Sequence, residues 1–259
     1  MRRACPLGRP GTIEGVLAET AYAYDNRTGR PPGRLVRTLG HVVPGIARVR
    51  AQAEPYADVW VARNRAALAA IERGEAGRRW IVLGDSMAQG VGASSPDAGW
   101  VGQVADRLAD LGPMTLLNLS ATGARVPDVL AQQLPVLEAL PPTTAAPDVV
   151  VAVIGSNDLF AGRRFREGLP DAMRELVERL PDGSVIASLP QPQGAAQEAN
   201  RWIDAAVAAG RLHCVDLRVS GPSSWRGLVA EDRFHPNDAG YAALTDAIAP
   251  VVRRALLGA

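Results

Sequence analysis

The sequence predicts an α/β fold: a three-layer sandwich built on a five-stranded parallel sheet, preceded by a mainly helical N-terminal extension. Three observations carry that reading. After Gly77, short apolar runs alternate with amphipathic stretches to the end of the chain, the texture of repeated βα units. Val149-Val150-Val151 and Val153-Ile154 form a near-continuous apolar run, as a strand covered by helices on both faces requires. The chain has 259 residues and no visible internal repeat, enough for one sizeable core and an extension.

Residues 1–79 form the extension and 80–259 the α/β domain. The first part holds 14 Arg against 7 acids and the second 14 Arg against 20, so the two carry +7 and −6. This asymmetry predicts that the basic segment lies on the acidic domain. An anionic surface such as lipid or nucleic acid is the other reading. Residues 1–34 are rich in Gly, Pro and Arg and read as loosely structured. From Arg34, Leu35, Val36, Leu39, Val42, Val43, Ile46 and Val49 recur at helical spacing, and Pro44 is expected to break or kink the run. A second helix is expected over Ala57 to Arg73. A basic amphipathic helix can lie on a membrane, but docking of its stripe on its own domain is the commoner case.

In the domain, Trp80-Ile81-Val82-Leu83 reads as strand one, followed by a helix from Trp100 to Leu111. Met114 to Leu119 is strand two, with a helix from Val126 to Leu140. Asp148 to Ile154 is strand three, with a helix from Phe165 to Leu180. Ser184 to Leu189 and Leu212 to Leu217 are strands four and five, separated by a helix from Ala195 to Ala209. A long loop leads to a closing helix over Asn237 to Leu257.

Composition narrows the chemistry. Hydrophobic residues at 47% and charged residues at 21% exclude a wholly disordered or coiled-coil molecule. The two cysteines, Cys5 and Cys214, are too few for a disulfide scaffold and lack zinc-site spacing, so neither a metal nor a cofactor is expected. All 28 basic residues are Arg, which removes lysine-based chemistry. No apolar run approaches the ~18 residues of a membrane span. The basic start runs into Pro and Gly where a secretion signal needs an apolar stretch, so the expected location is the cytoplasm. Nucleic-acid binding is not expected: the 12 aromatics and the lack of a recognisable module leave it electrostatics alone.

Ligands of open parallel sheets sit at the carboxyl ends of the strands, near the switch point of strand order. Strand one ends in Gly84-Asp85-Ser86, strand two leads to Asn118 and Gly123, and strand three runs into Gly155-Ser156-Asn157-Asp158. If strand one lies between strands two and three, the flavodoxin-like order, these ends converge. Acyl transfer needs a hydroxyl nucleophile, a base, an orienting acid and donors for the oxyanion. The base has three candidates, His41, His213 and His235. His235 stands in Asp232-Arg233-Phe234-His235-Pro236, before the last helix and with a carboxylate three residues upstream.

These four blocks, in this order, resemble those of the SGNH or GDSL-type serine hydrolases, over roughly residues 80–257. Gly84-Asp85-Ser86 is similar to the first block, Gly123 to the second, Gly155-Ser156-Asn157-Asp158 to the third and Asp232-Arg233-Phe234-His235 to the last. Met87 stands where the family name has Leu. The resemblance implies an esterase with Ser86 as nucleophile, His235 as base and Asp232 as its orienting acid. It also implies an oxyanion hole from the backbone N–H groups of Ser86 and Gly123 and the amide of Asn157, and a small-molecule ester as substrate. Asp85 and Asp158 are expected to hold loop geometry through backbone hydrogen bonds.

Gly-Asp-Ser alone also reads as a helix N-cap, and Asp-x-x-His before Pro as a capping pair. His213, His41 and Trp100 read as packing residues. The Gly-x-Ser-x-Gly elbow is absent because Ala88 occupies its last place. Gly90-Val91-Gly92 is a broken dinucleotide fingerprint. An acyltransferase, and a non-catalytic module that binds an acylated ligand, are the alternatives to hydrolysis.

Overall fold

The computed structural model describes residues 21–31, 43–142 and 147–258. Helices α1 (Pro44–Ala51) and α2 (Ala53–Glu72) precede β1 (Arg78–Gly84). After β1 come α3 (Ser86–Gln89) and α4 (Trp100–Arg107), then β2 (Met114–Asn118). A composite helix follows, with α5 (Val126–Asp128) and α6 (Leu134–Glu138) joined by a π-helical stretch, Val129–Gln133. β3 (Val149–Val153) leads to α7 (Ser156–Phe160) and α8 (Arg163–Arg179), and β4 (Val185–Ala187) to α9 (Gly194–Ala208). β5 (His213–Val215), α10 (Leu217–Ser220) and α11 (Asp238–Leu257) close the chain.

All neighbouring strands pair in parallel, in the order β2-β1-β3-β4-β5. The order reverses at β1, where crossovers leave toward both edges, so the switch point lies between β1 and β3. Strand alternation divides the core. Ile81, Leu83, Val150 and Ala152 join the side chains of α8, α9 and the composite helix on one face. Trp80, Val82, Val149 and Val151 join α4 and α11 on the other. α2 runs beside β2 and contributes Leu68 to the first cluster and Trp60 to the second.

Pro44 breaks the apolar run, as expected: Val43 is extended, and Pro44 opens α1 in its first turn, where its missing N–H costs nothing. Other boundaries differ from expectation. The expected run from Leu35 to Val42 lies outside the described residues, as does His41. α2 starts at Ala53, four residues ahead of the expected Ala57. The helix from Val126 is widened into a π turn just before Pro135, which has no N–H to donate to the preceding turn. β4 and β5 are shorter than their apolar runs.

Residues 21–31 are a correction of greater consequence, because they form a defined strap and not a loose start. Asn26 is buried, and its Nδ2 donates to the carbonyls of Asn118 and Ser120 at 2.7 and 2.8 Å. Tyr24 donates to the Leu119 carbonyl at 2.6 Å. Ion pairs join the basic segment to acids of the domain: Arg30 with Asp128, Arg48 with Glu231 and Arg63 with Asp97. Asn64 on α2 closes the outer edge of β2. Its Oδ1 accepts from the Asn118 N–H at 2.9 Å and its Nδ2 donates to the Asn118 carbonyl at 2.8 Å, replacing the strand that would otherwise pair there. Replacing Asn64 by Leu leaves the buried Asn118 N–H without a partner and is expected to lower stability by about 1–3 kcal/mol in urea unfolding; an unchanged midpoint would contradict this latch.

Candidate active site

The ends of β1, β2 and β3 meet at one rim of the sheet, and the loop before α11 folds over them. Ser86 is the first residue of α3, 3% exposed, and Asp85 caps that turn by accepting from the Met87 N–H at 2.9 Å. The loop carrying the histidine is a tight reversal, held by an isolated bridge between Val229 and Pro236 and by Ala230 N–H to His235 O at 2.7 Å. Asp232 accepts from the backbone N–H groups of Phe234 and His235, both at 3.0 Å, through Oδ1. Arg233 adopts a left-handed φ of 57° to make that turn.

In this arrangement His235 Nε2 lies 2.8 Å from Ser86 Oγ, and His235 Nδ1 lies 2.6 Å from Asp232 Oδ2. The histidine and aspartate side chains are only 13% and 7% exposed. Burial alone would raise the Asp232 carboxyl, but its hydrogen bond and charge interaction with His235 and the two backbone N–H groups bring it below the usual value. An ionised carboxylate only accepts, so the proton of the pair sits on Nδ1 and the Nε2 lone pair faces the serine.

The other two residues singled out in the sequence arrive at the same rim. Gly123 has φ +78°, a conformation that favours glycine, and nothing stands within 4 Å of where a Cβ would be. Asn157, in the first turn of α7, donates through Nδ2 to the Ala124 carbonyl at 2.9 Å and to Asp85 Oδ2 at a longer 3.3 Å. The structure thus brings Ser86, Gly123, Asn157, Asp232 and His235 together. His213 lies apart on β5 and Trp100 is in the core. Among the described residues no group of His, Cys, Asp and Glu has the form of a metal site, and no helix is long and apolar enough to cross a membrane.

Sequence reading missed the polar frame around these residues. Gln89 joins α3 to the Gly123 loop, with Nε2 on the Ser120 carbonyl at 3.0 Å and Oε1 accepting from Thr122 N–H at 3.1 Å. Asn118 Nδ2 donates to the Ala88 carbonyl at 2.7 Å. These are polar residues at positions with no periodic signal. Phe234 stacks edge-on against both His235 and Phe160, which bridges the histidine loop to α7.

A model of the GDSL-like lipase/acylhydrolase family matches residues 82–243. The fold is similar to the crystal structure of TesA, with a TM-score of 0.54 and 24% identity over 69% of this chain and 100% of that one. It is similar to the Clostridium thermocellum family 3 carbohydrate esterase, at TM-score 0.53 and 19% identity over 70% and 98% of the two chains. The psychrotrophic esterase EstA from Pseudoalteromonas sp. gives 0.50 and 18% over 69% and 98%. At these identities the likeness is one of fold. Comparison with curated proteins gave no match.

Asp158 accepts from the Val126 N–H at 3.1 Å, tying α7 to α5, yet burial outweighs that bond and pushes its carboxyl up to about 7. A raised value means the folded state holds the proton more tightly than the unfolded chain, so this contribution is fullest at low pH and is lost as pH rises toward about 7. Asp158→Asn keeps the acceptor without the charge. Its stability relative to wild type, from urea unfolding, is expected to grow from pH 4 to pH 7 and then level; a constant difference would contradict the assignment.

Proposed function

The chain belongs to the GDSL-like lipase/acylhydrolase family, and we propose that it is a serine esterase that hydrolyses small-molecule carboxylic esters through an acyl-enzyme at Ser86. The observation that carries this reading is the unbroken chain of contacts from Ser86 Oγ through His235 to Asp232, at 2.8 and 2.6 Å. His235 Nε2 takes the hydroxyl proton as Ser86 Oγ attacks the ester carbonyl. Asp232 stabilises the imidazolium that forms. The imidazolium returns the proton to the departing alcohol, leaving the acyl group on Ser86. Water, deprotonated by the same nitrogen, then releases the acid and restores the serine.

The charge that develops on the carbonyl oxygen is met by the N–H groups of Ser86 and Gly123 and by Asn157 Nδ2. Both hydrogens of that amide are engaged in the free protein, so donation to the oxyanion replaces the 3.3 Å bond to Asp85, the longer of the two. Asp85, whose own carboxyl is pushed up to about 6 by burial, serves to park the amide beside Ser86 between turnovers.

Hydrolysis of p-nitrophenyl esters from acetyl to palmitoyl, with chelator present, tests the reading. Ser86→Ala is expected to lower the rate by about 10⁴-fold or more, and Asn157→Ala by about 10²- to 10³-fold, mostly in kcat. Equal turnover by wild type and Ser86→Ala would overturn the assignment. The chain-length optimum measures the acyl pocket.

A further inference from the structure

The strap of residues 21–31 reaches the loop that carries Gly123. Arg30 Nη2 donates to the Gly123 carbonyl at 2.9 Å and to Asp128 Oδ2 at 2.7 Å, while Nη1 meets Asp128 Oδ1. Asp128 Oδ2 in turn accepts from the Arg125 N–H at 2.8 Å. The guanidinium fork therefore grips both ends of the segment that follows Gly123, a geometry that suits arginine and that the ammonium of a lysine does not reproduce. On the other side, Gln89 holds Thr122 through its N–H and its hydroxyl, at 3.1 and 2.5 Å. The same Gln89 donates to the backbone carbonyl of Asn26 at 3.0 Å.

Gly123 has no side chain to fix its direction, and the missing Cβ that lets it take φ +78° leaves its backbone wide freedom. Its orientation therefore rests on what holds the two flanking peptides. The residue before it is tied to α3, and its own carbonyl is tied to the strap. Arg30 and Asn26 lie outside the family match, which begins at residue 82.

We propose that Arg30 is a positioning residue of the oxyanion hole, a clamp supplied by the N-terminal extension that aims the Gly123 N–H at the charge forming on the substrate. The proposal rests on the serine-esterase reading above and extends it to a part of the chain outside the hydrolase motif blocks. Because Arg30 is paired with Asp128, its effect is geometric and not that of a free positive charge. Misplacement of a catalytic donor by about 1 Å can cost roughly 10²-fold in rate.

The test compares wild type, Arg30→Met, Arg30→Lys and Ser86→Ala. Arg30→Met keeps the stem and removes every donor. It is expected to lower kcat by about 10- to 100-fold with KM within about twofold. Phenylboronic acid, whose adduct with serine is tetrahedral, should bind more weakly by a similar factor. Amide hydrogen exchange at residues 120–125 should become faster, with exchange in β1 and β3 unchanged. Arg30→Lys should recover part of the loss in kcat. Unchanged exchange at 120–125 in Arg30→Met would overturn the clamp whatever the activity, and faster exchange with undiminished kcat would overturn its link to the chemistry. Wild-type turnover in Ser86→Ala would strike at the esterase reading instead, while the exchange result still judges the clamp.

Discussion

The parallel register of β1 against β3 is the constraint on which the rest depends. It ends with Gly84 opposite Val153, and the approach is so close that a Cβ on Gly84 would stand 2.7 Å from the Val153 carbonyl. Gln133, from the π-helical stretch, fixes the same residue by accepting from the Gly84 N–H at 2.9 Å and donating to its carbonyl at 2.8 Å. With the two strands ending level, Ser86 and Asn157 emerge side by side within a few residues of the sheet. A one-residue change in register would reverse the faces of β1 and carry Ser86 away from the switch point. The packing that sets the register is the apolar alternation on both faces, so core and chemistry are joined at one glycine.

Three aspartates at that rim show how environment separates residues of one type. Asp232 has a histidine and two backbone N–H groups against its carboxylate, which bring it below the usual value. Asp85 and Asp158 are buried with fewer compensating donors, and are raised to about 6 and about 7. The first is suited to stabilise an imidazolium. Asp85 caps α3 through the Met87 N–H and meets the Asn157 side-chain amide of α7, while Asp158 ties α7 to α5 through the Val126 N–H, framework roles whose cost is the burial of an ionisable group.

Much of this was legible in the chain because it is written in periodic patterns and short blocks. The valine run at 149–154 announces a central strand, and its neighbours follow from apolar runs of similar length. The blocks around Ser86, Asn157 and His235 are local, so residues near in sequence specify their own turns; Asp232 folds back onto the Phe234 and His235 N–H groups without help from elsewhere. What was not legible depends on distance. Asn26 contacts Asn118, 92 residues away, and Arg30 contacts Gly123, 93 away. A stretch rich in Gly, Pro and Arg gives no period from which such contacts can be read. Likewise a buried asparagine on a helix, such as Asn64, carries no sign that it faces a sheet edge. The strap and α2 thus hold much of the structural support of the site, the first in a stretch whose composition reads as loose and the second on a helix whose period does not show which polar residue meets the sheet edge.

Covalent labelling with an alkyl fluorophosphonate, followed by intact-mass and peptide analysis, asks whether Ser86 is the nucleophile that His235 activates. Attack by Ser86 Oγ expels fluoride and leaves one phosphonyl group on that oxygen. A single adduct is expected in wild type, located on Ser86, lost in Ser86→Ala and formed far more slowly in His235→Ala. Labelling that persists undiminished in Ser86→Ala, or an adduct mapped to another residue, would contradict that role for Ser86.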